Sequence, residues 1–307
     1  PGCRSIVRSG LLKRNVPEDT IDIMIASLSE NSIKQYDVCL KKWFHYCQEK
    51  GIDLYEASVS EVLEFLTNLF KNSSQCGSLN SCRAALALVI TEKISEDERI
   101  RRFFKGVFRL RPPLPKYDVT WDTSIVLDAL AKWYPNEELS LEELTRKCVT
   151  LLALGTAHRV QTLSKINIDN IEVKLKEILI KIPDMIKTSR IGAKQPLLCL
   201  PFFKEKLEIC PGTALTAYIR RIKDLRSTKD LFISYRKPFG TVTTQTISRW
   251  IKLTLKDSGL DVTTFSAHST RHASTSKAHK LGVNIDEIRK TAGWSGTSNT
   301  FGKFYNR

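Results

Sequence analysis

From Thr264 to Val283 the sequence runs T-F-S-A-H-S-T-R-H-A-S-T-S-K-A-H-K-L-G-V, and from Thr291 to Arg307 it runs T-A-G-W-S-G-T-S-N-T-F-G-K-F-Y-N-R. His268 and Arg271 are three apart, so on a helix starting near Ser266 they share one face. Two donors on one face can hold two oxygens of a single phosphate, and the planar fork of arginine suits that task. Trp294 follows a glycine that ends the next helix, expected over Asn284–Ala292. Tyr305 lies close behind. A phenol beside such a site can attack phosphorus and form a covalent ester.

Taken in order, H-S-T-R, A-G-W and F-Y resemble the catalytic half of a tyrosine recombinase. Their wording is most similar to recombinases of eukaryotic mobile elements of the DIRS, Ngaro and Crypton kind. The resemblance runs from about Ser29 to Arg307 and is strongest after Leu151. It implies a nuclear, two-domain enzyme that is mainly α-helical with a small antiparallel β-sheet, comprising a helical core-binding domain and an α+β catalytic domain.

Working outward, the segment G-T-A-H-R-V-Q-T-L-S-K-I places Arg159 between two apolar stretches. The resemblance makes it the first catalytic arginine. Where recombinases often carry an acid, three residues later, this chain has Thr162, to which no role is assigned. Alternating residues at 171–175, 177–182 and 197–200 predict an antiparallel sheet. The polar turn K-T-S-R-I-G-A-K-Q presents Lys187, Arg190 and Lys194. The resemblance puts a general-acid lysine in this hairpin; Lys187 matches best and Lys194 is the alternative. Residues 231–234 read as a short buried strand. Thr244–Leu255 is amphipathic, with Arg249 and Lys252 outward, where they can reach phosphates.

The N-terminal half is read from its punctuation. Residues 1–28 open with Arg4, Arg8, Lys13 and Arg14 and no acid before Pro17, and are expected to form a flexible basic arm. Residues 29–110 show four helical patterns, one opening on the capping box Ser58–Glu61. Among the basic residues of this helical DNA-binding domain, Lys34, Arg83, Lys105 and Arg109 are candidate DNA contacts. Residues 111–117, R-P-P-L-P-K-Y, cannot continue a helix and make an extended linker. Residues 118–307 form the catalytic domain, whose long helix opens on a second capping box, Ser140–Glu143.

The 307 residues carry a formal net charge of +15, which favours a polyanionic partner such as double-stranded DNA. The eight cysteines include no C-x-x-C pair, and several sit in apolar helical patterns. A reducing intracellular compartment is expected, and no signal peptide or membrane-length apolar run is seen. His268 and His272 lack the acidic residue of an H-E-x-x-H site, so neither a metal nor another cofactor is expected.

The resemblance then implies the chemistry. Tyr305 attacks a backbone phosphate to give a 3′-phosphotyrosyl link. Arg159 and Arg271 neutralise its oxygens, His268 and Trp294 donate hydrogen bonds to them, and a hairpin lysine protonates the leaving 5′-oxygen. Family members act as four protomers on two duplexes. Here two residues follow Tyr305, and a monomer or loose association is expected in solution, with a homo-tetramer possible on two DNA sites. Two alternatives stay open on the sequence: relaxation of supercoils as in type IB topoisomerases, and a domesticated, inactive DNA-binding protein.

Overall fold

A computed structural model of the chain describes residues 2–114, 117–189, 192, 194–294 and 302. The chain divides into two compact units, Pro1–Leu114 and Pro115–Arg307.

The first unit is helical: α1 (Cys3–Lys13), α2 (Glu18–Ala26), α3 (Glu30–Lys50), α4 (Val59–Lys71), α5 (Cys76–Val89) and α6 (Glu98–Leu110). Its helix starts follow the side chains that can satisfy free backbone N–H groups. Ser29 accepts from Ser32 N–H, Ser58 and Glu61 close a capping box, and Asp97 accepts from Arg99 and Ile100. Trp43, Leu40, Leu66, Leu79 and Leu86 are fully buried between these helices.

The flexible arm expected over residues 1–28 is instead the helix pair α1–α2. Cys3, Ile6, Val7 and Leu11 recur at helical spacing and are buried against the rest of the unit. The basic residues that suggested a free arm are all engaged within the unit. Arg4 pairs with Glu30, Arg8 with Asp22, and Lys13 with Glu56. Arg14 donates to the carbonyls of Ala87 and Ile90 at the end of α5.

Gly10 is where α1 crosses α5. A Cβ there would lie 2.7 Å from the Val89 carbonyl oxygen and 2.9 Å from Val89 Cα, both backbone atoms that cannot swing aside. Gly10→Ala is expected to destabilise this unit by about 1–3 kcal/mol, the usual cost of overpacking. Hydrogen exchange at α1 and α5 amides in the full chain should speed up accordingly. Unchanged protection at α1 would show that the helices separate at no cost.

The second unit holds α7 (Thr123–Ala131), α8 (Leu141–Thr156), α9 (Val160–Leu163), β1 (Ile171–Val173), β2 (Glu177–Lys181), β3 (Leu197–Pro201), α10 (Pro211–Ile222), α11 (Thr244–Asp257), α12 (Ser269–Lys280) and α13 (Ile285–Thr291). The strands form one antiparallel sheet in the order β1-β2-β3. Ile178, Ile180, Leu198 and Leu200 turn one face of it into the core. Helix α8 runs through that core, buried along nearly its whole length.

Residues 231–233 are buried as the sequence suggested, but they form no strand. Leu231 N–H bonds to the Ile166 carbonyl, and a single bridge joins Ile233 to Thr241. On its other side there is again one bridge, Asn167 to Asp230, so the pairing stops short of a ladder.

The two ends of the proline-rich linker are anchored through their side chains. Arg111 donates to the Phe70 and Ser74 carbonyls of the first unit and stacks 4.3 Å from the Phe70 ring centroid. Tyr117 is buried in the second unit, its hydroxyl 2.6 Å from Ser266 Oγ.

Candidate active site

The site is built at the end of α8. Its last turn closes on Ala157, which adopts φ +50°, a left-handed conformation rare for a side-chain-bearing residue. The turn redirects the chain so that His158 is buried and Arg159, in extended conformation, caps α9. The Arg159 side chain is half-exposed, with no hydrogen bond or ion pair among the described residues.

Arg271 arrives from the first turn of α12. That turn is anchored by Trp121, whose indole N–H donates to Ser269 Oγ at 2.9 Å, and by Ser269 Oγ donating to the Ser266 carbonyl at 2.7 Å. The Arg271 guanidinium is 1% exposed, donates to the Ala157 carbonyl at 2.7 Å, and lies 4.0 Å from the centroid of the Trp294 ring. A buried guanidinium over an indole face is a cation–π pair in which little water competes.

Trp294 is held by the way α13 ends. Gly293 has φ +66°, its N–H bonds to the Lys290 carbonyl, and the Trp294 N–H bonds to the Arg289 carbonyl at 2.8 Å. This is a complete Schellman motif, and its usual apolar contact is present, because Trp294 clusters with Ile288.

His268 flanks α12 as its N-cap residue rather than sitting inside the helix, because the Ser266–Ser269 turn comes first and α12 starts at Ser269, three residues after the expected start at Ser266. Its backbone is still right-handed helical (φ −66°, ψ −24°), so it keeps the three-residue relation to Arg271. The two differ in environment: His268 is exposed and Arg271 is buried. The His268 ring meets His272 edge-on at 5.5 Å.

Lys187 is exposed, and its backbone N–H donates to Gln161 Oε1 of α9 at 3.3 Å. The hairpin is thereby fastened two residues beyond Arg159. Ser189 braces the same turn, accepting from Ile186 N–H and donating to Gln195. Lys194 is exposed and makes no such link among the described residues. Arg249 and Lys252 are exposed on α11, which is tied to the end of α9 by the Ser164–Thr244 hydroxyl pair at 2.9 Å. Arg190 and Tyr305 lie outside the described residues.

In the first unit, Arg83, Lys105 and Arg109 line a groove of about 1010 Å³ between α5 and α6, floored by Ile100, Phe104 and Phe108. Arg83 is oriented by Asn80 and by the Phe104 ring. Lys34 is exposed on α3 and is not part of that groove. Among the described residues, no group of three or more His, Cys, Asp or Glu could hold a metal ion.

His158 escaped the sequence reading. Burial, then the nearby Arg271 and Arg159 charges, push its pKa from 6.5 down to about 4. The fold therefore favours its neutral form, while the unfolded chain takes up a proton near 6.5. Its contribution to stability is complete above about pH 6.5 and is lost as pH falls toward 4, a loss of about 2–3 kcal/mol. In urea titrations at stepped pH, His158→Gln should flatten this part of the stability curve. Identical slopes for parent and variant would exclude a buried neutral imidazole.

Residues 127–307 match the phage integrase family. Tyrosine recombinase XerA of Pyrococcus furiosus is 26% identical over 275 residues, covering 89% of this chain and 82% of the relative. Among solved structures, the XerH site-specific recombinase in a post-cleavage complex with a palindromic difH substrate aligns with TM-score 0.61 at 12% identity, covering 94% of this chain and 79% of that one. The Tn1549 transposon integrase in complex with transposon right end DNA aligns with TM-score 0.60 at 13% identity, covering 98% and 94%. At these identities the structural likeness concerns the fold: a mainly helical architecture with one small antiparallel sheet.

Proposed function

The chain belongs to the phage integrase family and is a tyrosine recombinase, and from that premise we propose that it cuts and rejoins double-stranded DNA through a covalent 3′-phosphotyrosyl intermediate. The phenol of Tyr305 gives up its proton to solvent and its oxygen bonds to a backbone phosphorus as the bond to the 5′-oxygen breaks, and Lys187 protonates that oxygen so that it departs as the 5′-hydroxyl. Attack by another strand's 5′-hydroxyl reverses the step. One phosphodiester is exchanged for another, so no ATP is needed. Arg159 and Arg271 hold the non-bridging oxygens as charge builds, with His268 and Trp294 beside them. Preorganised donors of this kind contribute about 3–4 kcal/mol each.

The observation that carries this is the convergence at one corner of Arg159, the buried Arg271 and Trp294, although 135 residues separate the first from the last. The basic groove of the first unit and the exposed Arg249 and Lys252 supply phosphate contacts along the duplex. We further propose that the substrate is a eukaryotic mobile element of the DIRS, Ngaro or Crypton kind, handled in the nucleus by four protomers on two duplexes. Incubation with a nicked duplex, from which the short 5′-fragment diffuses away, should trap a protein–DNA adduct of the summed mass. Failure to form one on any element-end duplex, with binding intact, would overturn the proposal.

Lys187→Ala is expected to slow cleavage about 100-fold or more, within the range for loss of a general acid. A duplex with sulfur in place of the bridging 5′-oxygen should restore the rate, because a thiolate leaves without a proton. If sulfur rescues Lys194→Ala instead, the general acid is Lys194.

A further inference from the structure

Resting on that reading of the site, we infer that His158 is a positioning residue for cleavage: wedged between the Arg159 corner and the Gly293–Trp294 turn, it sets where the Trp294 ring meets the Arg271 guanidinium. The contacts on its several sides support this. A Cβ on Gly293 would lie 2.9 Å from His158 Cε1 and 3.4 Å from Nδ1, so the imidazole fills the space a side chain at 293 would take. The backbone of Thr291, two residues earlier on the same turn, meets the imidazole through its carbonyl. Behind His158, the carbonyl of Ala157 accepts from Arg271 at 2.7 Å, and ahead of it is Arg159 itself.

His158 therefore touches the turn that carries Trp294 and is bonded on either side to Arg159 and to Ala157, the acceptor of Arg271. It is 7% exposed, and its neutral form adds no third cation beside the two guanidiniums. Gly293 is constrained twice, by its left-handed φ and by the imidazole against it. Removing the ring opens a slot into which the Gly293 turn can sink. Trp294 then drops away from Arg271, and the guanidinium loses the surface that fixes its plane. Displacement of a reacting group by about 1 Å is enough to cost roughly 100-fold in rate.

The test uses the full chain and a nicked suicide duplex under single-turnover conditions, with His158→Leu and His158→Gln. His158→Leu should form the adduct about 10- to 100-fold more slowly while its duplex Kd stays within about threefold. His158→Gln, which keeps an N–H donor, should recover much of that loss. In a Trp294→Ala background the effect of His158→Leu should shrink to less than about threefold, because the two act through one contact. Equal effects in both backgrounds, or no effect in the parent, would overturn the assignment.

A second readout stands apart from activity. The fluorescence lost on Trp294→Phe isolates the Trp294 signal, and His158→Leu should make that signal more accessible to acrylamide. Unchanged quenching would also overturn the inference. If even the parent forms no adduct, the functional proposal fails, while the quenching comparison still decides the role of His158.

Discussion

Tyr305→Phe should bind its duplex with affinity within about twofold of the parent and form no covalent adduct at all. The substitution removes one oxygen and no charge. Affinity for DNA rests on neutralised phosphates and the counterions they release, and that count is unchanged. The adduct, by contrast, depends wholly on the missing atom, since phenylalanine offers no nucleophile. The free phenol has a pKa of about 10, so the proposed attack also requires cations nearby to favour the phenolate, a role the proposal gives to Arg159 and Arg271. The measurement pairs fluorescence anisotropy with denaturing gels of the nicked-duplex reaction. An adduct that survives the substitution places the nucleophile elsewhere. A large fall in affinity would instead mean that the hydroxyl holds the complex together, and the clean separation of binding from chemistry would fail.

How far the site can be read from sequence depends on the range of the interaction involved. Gly293 before Trp294 is a local signal: a helix ending on glycine with an apolar residue behind it specifies a Schellman turn, and the structure has one. The capping boxes Ser58–Glu61 and Ser140–Glu143 are equally local and both are present. The sheet register follows from the alternation of Ile178, Ile180, Leu198 and Leu200.

What was not legible depends on partners distant in sequence. The charges of α1 suggested a free arm only because Glu30, Asp22 and Glu56 lie 14–43 residues away. The apolar stripe Cys3, Ile6, Val7 and Leu11 was a signal available all along. His158 had no such signal. Its meaning comes from Gly293 and Thr291 across the fold, and a histidine beside an arginine in sequence does not announce burial. Nor does an alanine announce a left-handed turn, yet the Ala157 carbonyl is the acceptor for Arg271.

That acceptor underlies the second large effect, expected for Arg271→Lys. Lysine keeps the positive charge but presents it as a point on a flexible stem. It can neither lie flat on the Trp294 ring nor hold the Ala157 carbonyl and two phosphate oxygens in one plane. Adduct formation is expected to fall about 100- to 1000-fold, the loss usual for a preorganised donor at a developing negative charge. Duplex affinity should fall far less, because one phosphate contact among several is altered rather than removed.

Alanine is the less informative choice. At 1% exposure, Arg271→Ala leaves a void and an unsatisfied carbonyl, so lost activity could reflect a loosened fold. Arg159→Lys is the companion variant. Its side chain is half-exposed, so it should show a comparable catalytic loss with the unfolding midpoint unmoved. Arg271→Lys should lower that midpoint as well, because the stack and the carbonyl bond belong to the resting fold. If Arg271→Lys cleaves within about threefold of the parent, the planar fork is unnecessary, and Arg271 acts by charge alone.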